Sequence, residues 1–220
     1  MKTDKELFVI CTKEDSYIFE CVERINRYHP DADILIVDSD SDDKNYMQTI
    51  NKNYKNVMVS EFKNKNYEYG AILHGFLNYK NKYDVFFFIQ DSIILNEKID
   101  LHQMDEKSAL VFYDCKDGWK NWRQPRDTAK RQYPDFFNHP TYVSANKNFN
   151  VQYNSFIIYS SAFNKCIDSE IFSLVGPPKN KIGSINWERL WTSVLLANNI
   201  EIKLLKNAEK YITKIFGDRK

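Results

Sequence analysis

The chain has 220 residues, with 31 Lys and Arg against 30 Asp and Glu and a net charge of +1. This balance excludes a bulk electrostatic draw to nucleic acid or to an anionic membrane, and a hydrophobic content of 43% excludes a disordered chain. Fifteen Phe and 14 Tyr stand against six Gly and six Pro, which excludes collagenous or linker-like sequence and leaves little glycine for a phosphate-cradling loop.

The apolar, β-branched run Leu7 to Cys11 predicts a strand buried on both faces. A polar loop follows, in which Asp15 or Ser16 can cap a helix whose apolar positions are Ile18, Phe19, Val22 and Ile25. Ile34 to Asp38 is a second strand, completing a right-handed βαβ unit. The acidic loop from Asp38 to Asp43 leads to a helix around Tyr46 to Ile50, then a weaker strand at Val57 to Ser60. Tyr69 to Tyr79 reads as a helix with Ile72, Leu73, Phe76 and Leu77 inward. Val85 to Ile89 is the most hydrophobic run and the best candidate for a central strand, ending at Gln90-Asp91-Ser92.

Leu110 to Phe112 predicts another strand, whereas residues 114–152 read as polar and without regular structure, crowded with aromatic rings. Beyond them come a strand at Ser155 to Tyr159, a helical turn at Ile167 to Leu174 and a break at Gly176 to Pro178. A helix at Ile185 to Asn198, a strand at Ile200 to Leu205 and an amphipathic helix at Ala208 to Ile215 follow. The basic residues of that tail, Lys203, Lys206, Lys210, Lys214, Arg219 and Lys220, could touch a membrane surface but read more simply as the solvated face of a helix. The whole, residues 1–220, is expected to be one α/β domain with a mixed, mainly parallel sheet flanked by helices.

The four cysteines show no CxxC spacing and read as free thiols. No run approaches the roughly 18 apolar residues of a membrane span, and the short apolar stretch near the N-terminus reads as a strand and not as a signal sequence. The expectation is a soluble, cytoplasmic protein with no integral membrane segment and no nucleic-acid partner.

Open α/β sheets bind ligands beyond the carboxyl ends of their strands. Three such ends carry polar chemistry here: Thr12 to Asp15, Asp38 to Asp43, and Gln90-Asp91-Ser92. None has the GxGxxG or GxxxxGK[ST] pattern that lets backbone approach a pyrophosphate, which disfavours dinucleotide-binding and P-loop enzymes. Asp40, Asp42 and Asp43 read as a solvated loop and helix cap. His29, His74, His102 and His139 show no metal-ligand spacing.

In order along the chain, these segments resemble the GT-A-type nucleotide-sugar glycosyltransferase domain. Ile34 to Asp43 is similar to its second strand and acidic loop, Val9 to Thr12 to its first strand, and Tyr69-Gly70-Ala71 to a glycine-containing helix start. Val85 to Leu95 resembles the strand ending in the DxD motif, and Trp187-Glu188-Arg189 the helix that carries a catalytic base. The resemblance implies a GT-A-like fold and a glycosyltransferase, inverting by single displacement, that moves a sugar from a UDP-sugar or related donor to a glycan or glycoconjugate. Residues 1–113 would form the nucleotide-sugar-binding half and residues 114–220 the acceptor-binding half; Glu188 would be the general base, and Thr12, Asp38, Gly70, Gln90, Asp91 and Ser92 would bind the donor. Asp91, with His139, would hold Mn²⁺ or Mg²⁺, although Gln90-Asp91-Ser92 retains one carboxylate where DxD has two. Trp119, Trp122 and Arg123 would receive the acceptor, their rings packing against the apolar faces of a sugar. Two other readings stand beside this one: a non-catalytic nucleotide-sugar or carbohydrate-binding module, and a sugar nucleotidyltransferase.

Overall fold

The computed structural model describes residues 4–13, 17–60, 62–113, 123–145 and 150–215. Its first half alternates strand and helix: β1 (Glu6–Thr12), α1 (Ile18–Tyr28), β2 (Asp33–Asp38), α2 (Asn45–Asn53), β3 (Val57–Val59), α3 (Tyr67–Tyr79) and β4 (Val85–Gln90). There follow β5 (Ile93–Leu95), β6 (Ser108–Val111), α4 (Arg123–Gln132), α5 (Pro134–Asn138), β7 (Phe156–Tyr159), α6 (Ser160–Ile167) and α7 (Glu170–Ser173). The last elements are α8 (Lys181–Ala197), β8 (Glu201–Leu204), α9 (Ala208–Tyr211) and β9 (Ile212–Lys214).

Seven strands form one sheet in the order β3-β2-β1-β4-β7-β6-β8, with β4 in the middle, as its run of apolar residues predicts. The pairs β2–β3, β1–β2, β1–β4 and β6–β8 are parallel, while β7 runs antiparallel to both β4 and β6. The sheet is therefore mixed and mainly parallel, with helices on both faces. Successive residues of a strand point to opposite faces, and the core divides accordingly. Val9, Leu35, Phe86 and Phe88 pack with Ile72 and Phe76 of α3, Phe163 of α6, and Trp187 and Trp191 of α8. Phe8, Ile10, Ile34, Ile36, Phe87 and Ile89 pack with Ile18, Val22 and Ile25 of α1 and with Met47 and Ile50 of α2.

Helix α3 lies close against β1 because Gly75 has no side chain: a Cβ there would meet the two Val9 methyls at 2.7 and 2.8 Å. Closeness of this kind requires glycine even where the helix would prefer alanine.

Helix α1 begins after Tyr17, and the expected capping residues Asp15 and Ser16 lie outside the described residues. Three expectations are corrected. Leu77 is 51% exposed, because it stands about 100° round the helix from the buried Phe76 and passes the edge of the core-facing stripe. The described part of 114–152 contains α4, α5 and a 3-10 turn at Gln152–Asn154. Helix α4 is so polar that hydrophobic spacing could not reveal it, and among its described side chains, 126–132, the buried one is Ala129; α5, with five residues, is too short to show a period. The C-terminal segment is not one helix: α9 gives way to β9, which pairs antiparallel with β5 in a two-stranded ribbon. Tertiary pairing of the β-branched Ile212-Thr213 overrides the helical spacing of that stretch.

Candidate functional site at the carboxyl ends of β1, β2 and β4

From β1 the chain passes through α1 to β2 and β3 on one side, and then returns through α3, on the opposite face, to β4 on the other side of β1. The carboxyl ends of β1 and β4 thus flank the point where the winding reverses, the usual ligand crevice of such sheets. The parallel pairing puts Thr12, Asp38 and Gln90 at the same edge.

Two knots of buried polar groups tie these ends together. The Thr12 hydroxyl donates to Asp91 Oδ2 at 2.7 Å, both residues being buried, while the Thr12 carbonyl accepts from Ser39 N at 2.7 Å. Asp38, also buried, accepts at Oδ1 from Ser41 N (2.8 Å) and at Oδ2 from Ser41 Oγ (2.5 Å) and Tyr46 OH (2.6 Å); Lys44 Nζ stands 3.3 Å from Oδ1. Burial pushes the Asp38 carboxyl up, but the hydrogen bonds from Ser41 and Tyr46 outweigh it and hold it below the usual carboxylate range. Asp38 therefore fixes the 38–46 loop. Within that loop Asp40, Asp42 and Asp43 are exposed, and Asp43 caps Asn45 N at 2.9 Å.

The third cluster spans four elements. Glu68 at the start of α3 accepts from Gln90 Nε2 at 2.6 Å and from Ser184 Oγ of α8 at 2.7 Å, with Lys181 Nζ 3.9 Å away. Gln90 Oε1 in turn accepts from Lys214 Nζ at 2.7 Å, and the same ammonium donates to Ser92 Oγ. The Lys214 ammonium also lies over the Tyr153 ring, 4.9 Å from its centroid. Tyr153 and Asn154 both adopt positive φ (56° and 50°), a costly backbone for non-glycine residues that tends to mark functional sites. The Tyr153 backbone hydrogen-bonds Glu188 of α8, whose side chain is only 13% exposed and pairs with Arg189 at 2.7 Å. Burial pushes the Glu188 carboxyl up to about 7, Glu68 adds to the rise, and Arg189 opposes it. The same surroundings, with burial foremost and Glu68 and Asp91 adding, raise the Cys11 thiol well above its ordinary value, so Cys11 is an inert core group.

Of the residues expected from sequence, Thr12, Asp38, Gln90, Asp91 and Ser92 gather at one edge, and Glu188 joins them through Tyr153. Gly70 sits where a Cβ would collide with the buried Asn64 side chain, which caps the turn before α3 through Asn66 N and the Tyr67 carbonyl. Gly70 thus serves the seating of that cap. Trp119 and Trp122 lie outside the described residues, and Arg123 opens α4. Phe136, Phe137 and Tyr142 pack edge-on or tilted against one another and join the core.

The residues expected to hold a divalent cation are engaged with other groups of the chain. Asp91 accepts from Thr12, Gln90 and Ser92 accept from an ammonium, and His139 contacts Thr141 and Glu170. Among the described residues, no three His, Cys, Asp or Glu side chains converge to hold a metal. The other three histidines stay out of the site too; His29, for one, is a core group between Glu6 and the Ile99 amide.

Sequence reasoning missed Glu68, Tyr153, Ser184 and Lys214. A positive φ at tyrosine leaves no mark in sequence, and Lys214 is hidden in a basic tail. A depression of about 460 Å³ at the opposite edge, lined by Lys5, Lys80, Tyr83 and Asp84 among others, contains no buried ionisable group.

No protein-family model matches the chain, and no curated protein does. Among solved structures it is similar to TarS of S. aureus, with a TM-score of 0.57 at 13% identity, over 96% of this chain and 37% of that one. It is similar also to TarS 1–349 in complex with UDP, with a TM-score of 0.56 at 14% identity, over 94% of this chain and 59% of that one. The chain thus spans between about two-fifths and three-fifths of the chains it matches. The likeness shows the fold: a mixed, mainly parallel sheet flanked by helices. Among the described residues no helix is long and apolar enough to cross a membrane.

Proposed function

We propose that the chain is a glycosyltransferase that moves a sugar from a nucleotide-sugar, a UDP-sugar foremost, to a hydroxyl of a glycan or glycoconjugate. The observation that carries this reading is Glu188: a buried carboxylate, raised to about 7, in the same polar cluster as the strand ends of the sheet's switch point. The likeness of the fold to a structure in complex with UDP supports the choice of donor.

In this reading the nucleoside lies against Thr12 and the loop stiffened by Asp38, and the diphosphate lies over the tip of β4. The acceptor oxygen attacks the anomeric carbon while Glu188 takes its proton. The bond from that carbon to the diphosphate oxygen breaks on the opposite face, and the nucleoside diphosphate leaves with the bonding electrons. This is a single displacement with inversion, in which the protein supplies orientation, one base and positive charge near the leaving group. Trp119, Trp122 and Arg123 are proposed acceptor contacts on sequence grounds alone.

The test is to incubate the protein with a panel of nucleotide-sugars and simple glycan acceptors, following nucleotide release and transfer product by mass spectrometry. At least one donor should be consumed by wild type and none by Glu188→Gln. Binding of nucleotide-sugars without consumption of any would favour the non-catalytic binding module instead.

A further inference from the structure

We propose that Lys214 is a diphosphate-binding residue, its ammonium held at the tip of β4 to take the place of a divalent cation. The inference rests on the donor site proposed above and deepens it.

Ribbon geometry delivers the lysine. β5 begins directly after Gln90-Asp91-Ser92, and β9 pairs with it in the register Ile93↔Lys214. The Ile215 amide donates to the Ser92 carbonyl at 2.9 Å, fastening β9 to the turn itself. Lys214 then reaches Gln90 Oε1 at 2.7 Å and Ser92 Oγ, with the Tyr153 ring beneath. Gln90, Ser92 and the Tyr153 ring are uncharged groups, and they orient the ammonium. The side chain is half-buried, fixed yet within reach of a ligand at the strand end.

The identity of residue 90 follows from the same contacts. Its amide donates to Glu68 and accepts from Lys214. A glutamine can bridge a carboxylate and an ammonium in this way; an ionised aspartate or glutamate has no donor to offer Glu68. Gln90 and Ser92 therefore suit a side-chain cation where two carboxylates would suit a metal. A fixed ammonium near a departing diphosphate stabilises the developing negative charge, as a metal ion would. Lys44 and Lys181 stand at the same edge, beside Asp38 and Glu68 respectively.

The test is calorimetric titration of UDP and of uridine into the wild-type chain, Lys214→Gln and Lys214→Arg, each in EDTA and again with Mn²⁺, with thermal melts as a folding control. Wild type should bind UDP in EDTA, and Mn²⁺ should change the affinity less than about twofold. Lys214→Gln should bind UDP about tenfold or more weakly, the loss expected for one charge-assisted hydrogen bond, and uridine as wild type does. Lys214→Arg should keep most of the UDP affinity. UDP binding that appears only with Mn²⁺, or that survives Lys214→Gln intact, would overturn the role of Lys214 and leave the donor site standing. If neither UDP nor uridine binds under any condition, the donor site falls, and this inference with it. Should Lys214→Gln fail to fold, Lys214→Arg and the wild-type comparison with and without Mn²⁺ decide.

Discussion

The Thr12 hydroxyl donates to the Asp91 carboxylate at 2.7 Å, joining the carboxyl ends of β1 and β4 across the crevice where the winding of the sheet reverses. Both residues are buried, so the bond is made where a lost partner is costly. Thr12→Val keeps the shape and removes the donor. It should lower stability by about 1–3 kcal/mol in urea unfolding, while Thr12→Ser should restore most of the loss. A valine variant as stable as wild type would show that Asp91 does not depend on this contact.

Asp38 is the second anchor, and its effect on stability depends on pH. Its carboxyl titrates lower in the folded chain than in the unfolded one, so its contribution is present above the unfolded value of about 3.9 and is lost as pH falls through the folded value. Asp38→Asn should therefore destabilise the chain by about 1.5–3 kcal/mol near pH 7, with the difference from wild type shrinking below about pH 4. Unfolding curves at the two pH values measure it.

Gln90→Glu would place a carboxylate where an amide nitrogen now lies 2.6 Å from Glu68. Two carboxylates at that separation cannot both stay ionised without penalty. The variant should lose about 1–3 kcal/mol at pH 8 and recover at pH 4, and the double variant with Glu68→Gln should recover at both. A single variant indifferent to pH would show that residues 68 and 90 are not coupled.

Much of the fold is legible in the sequence, and less of the site. The strands at residues 7–11, 34–38 and 85–89 stand out because each is a continuous apolar run buried on both faces, and their polar exits mark the site's edge. What escapes notice comes from distant segments. Glu68 becomes a site residue only through Gln90 and Ser184, 22 and 116 residues away. Lys214 becomes one only because β9 pairs with β5, a partner no local pattern announces. Tyr153 depends on a left-handed backbone that sequence favours at glycine or asparagine.

For Glu188 activity and stability should move in opposite directions with pH. A base must be ionised, so transfer should rise as pH climbs through about 7. The raised carboxyl favours the folded state fully below its unfolded value of about 4.3, and that contribution is lost as pH rises through about 7. Glu188→Gln should retain donor binding, lose transfer by about 10²–10⁴-fold and flatten both profiles. A fully active variant would remove Glu188 as the base.

The donor site itself is tested by hydrogen exchange of the backbone amides with and without saturating UDP. Protection should appear in three segments that the sheet brings together, residues 11–13, 38–44 and 90–93, and in residues 150–155 beside them. Protection confined to the opposite edge around Lys5 and Tyr83, or no protection at any concentration of UDP, would contradict a nucleotide-sugar site at the carboxyl ends of β1, β2 and β4.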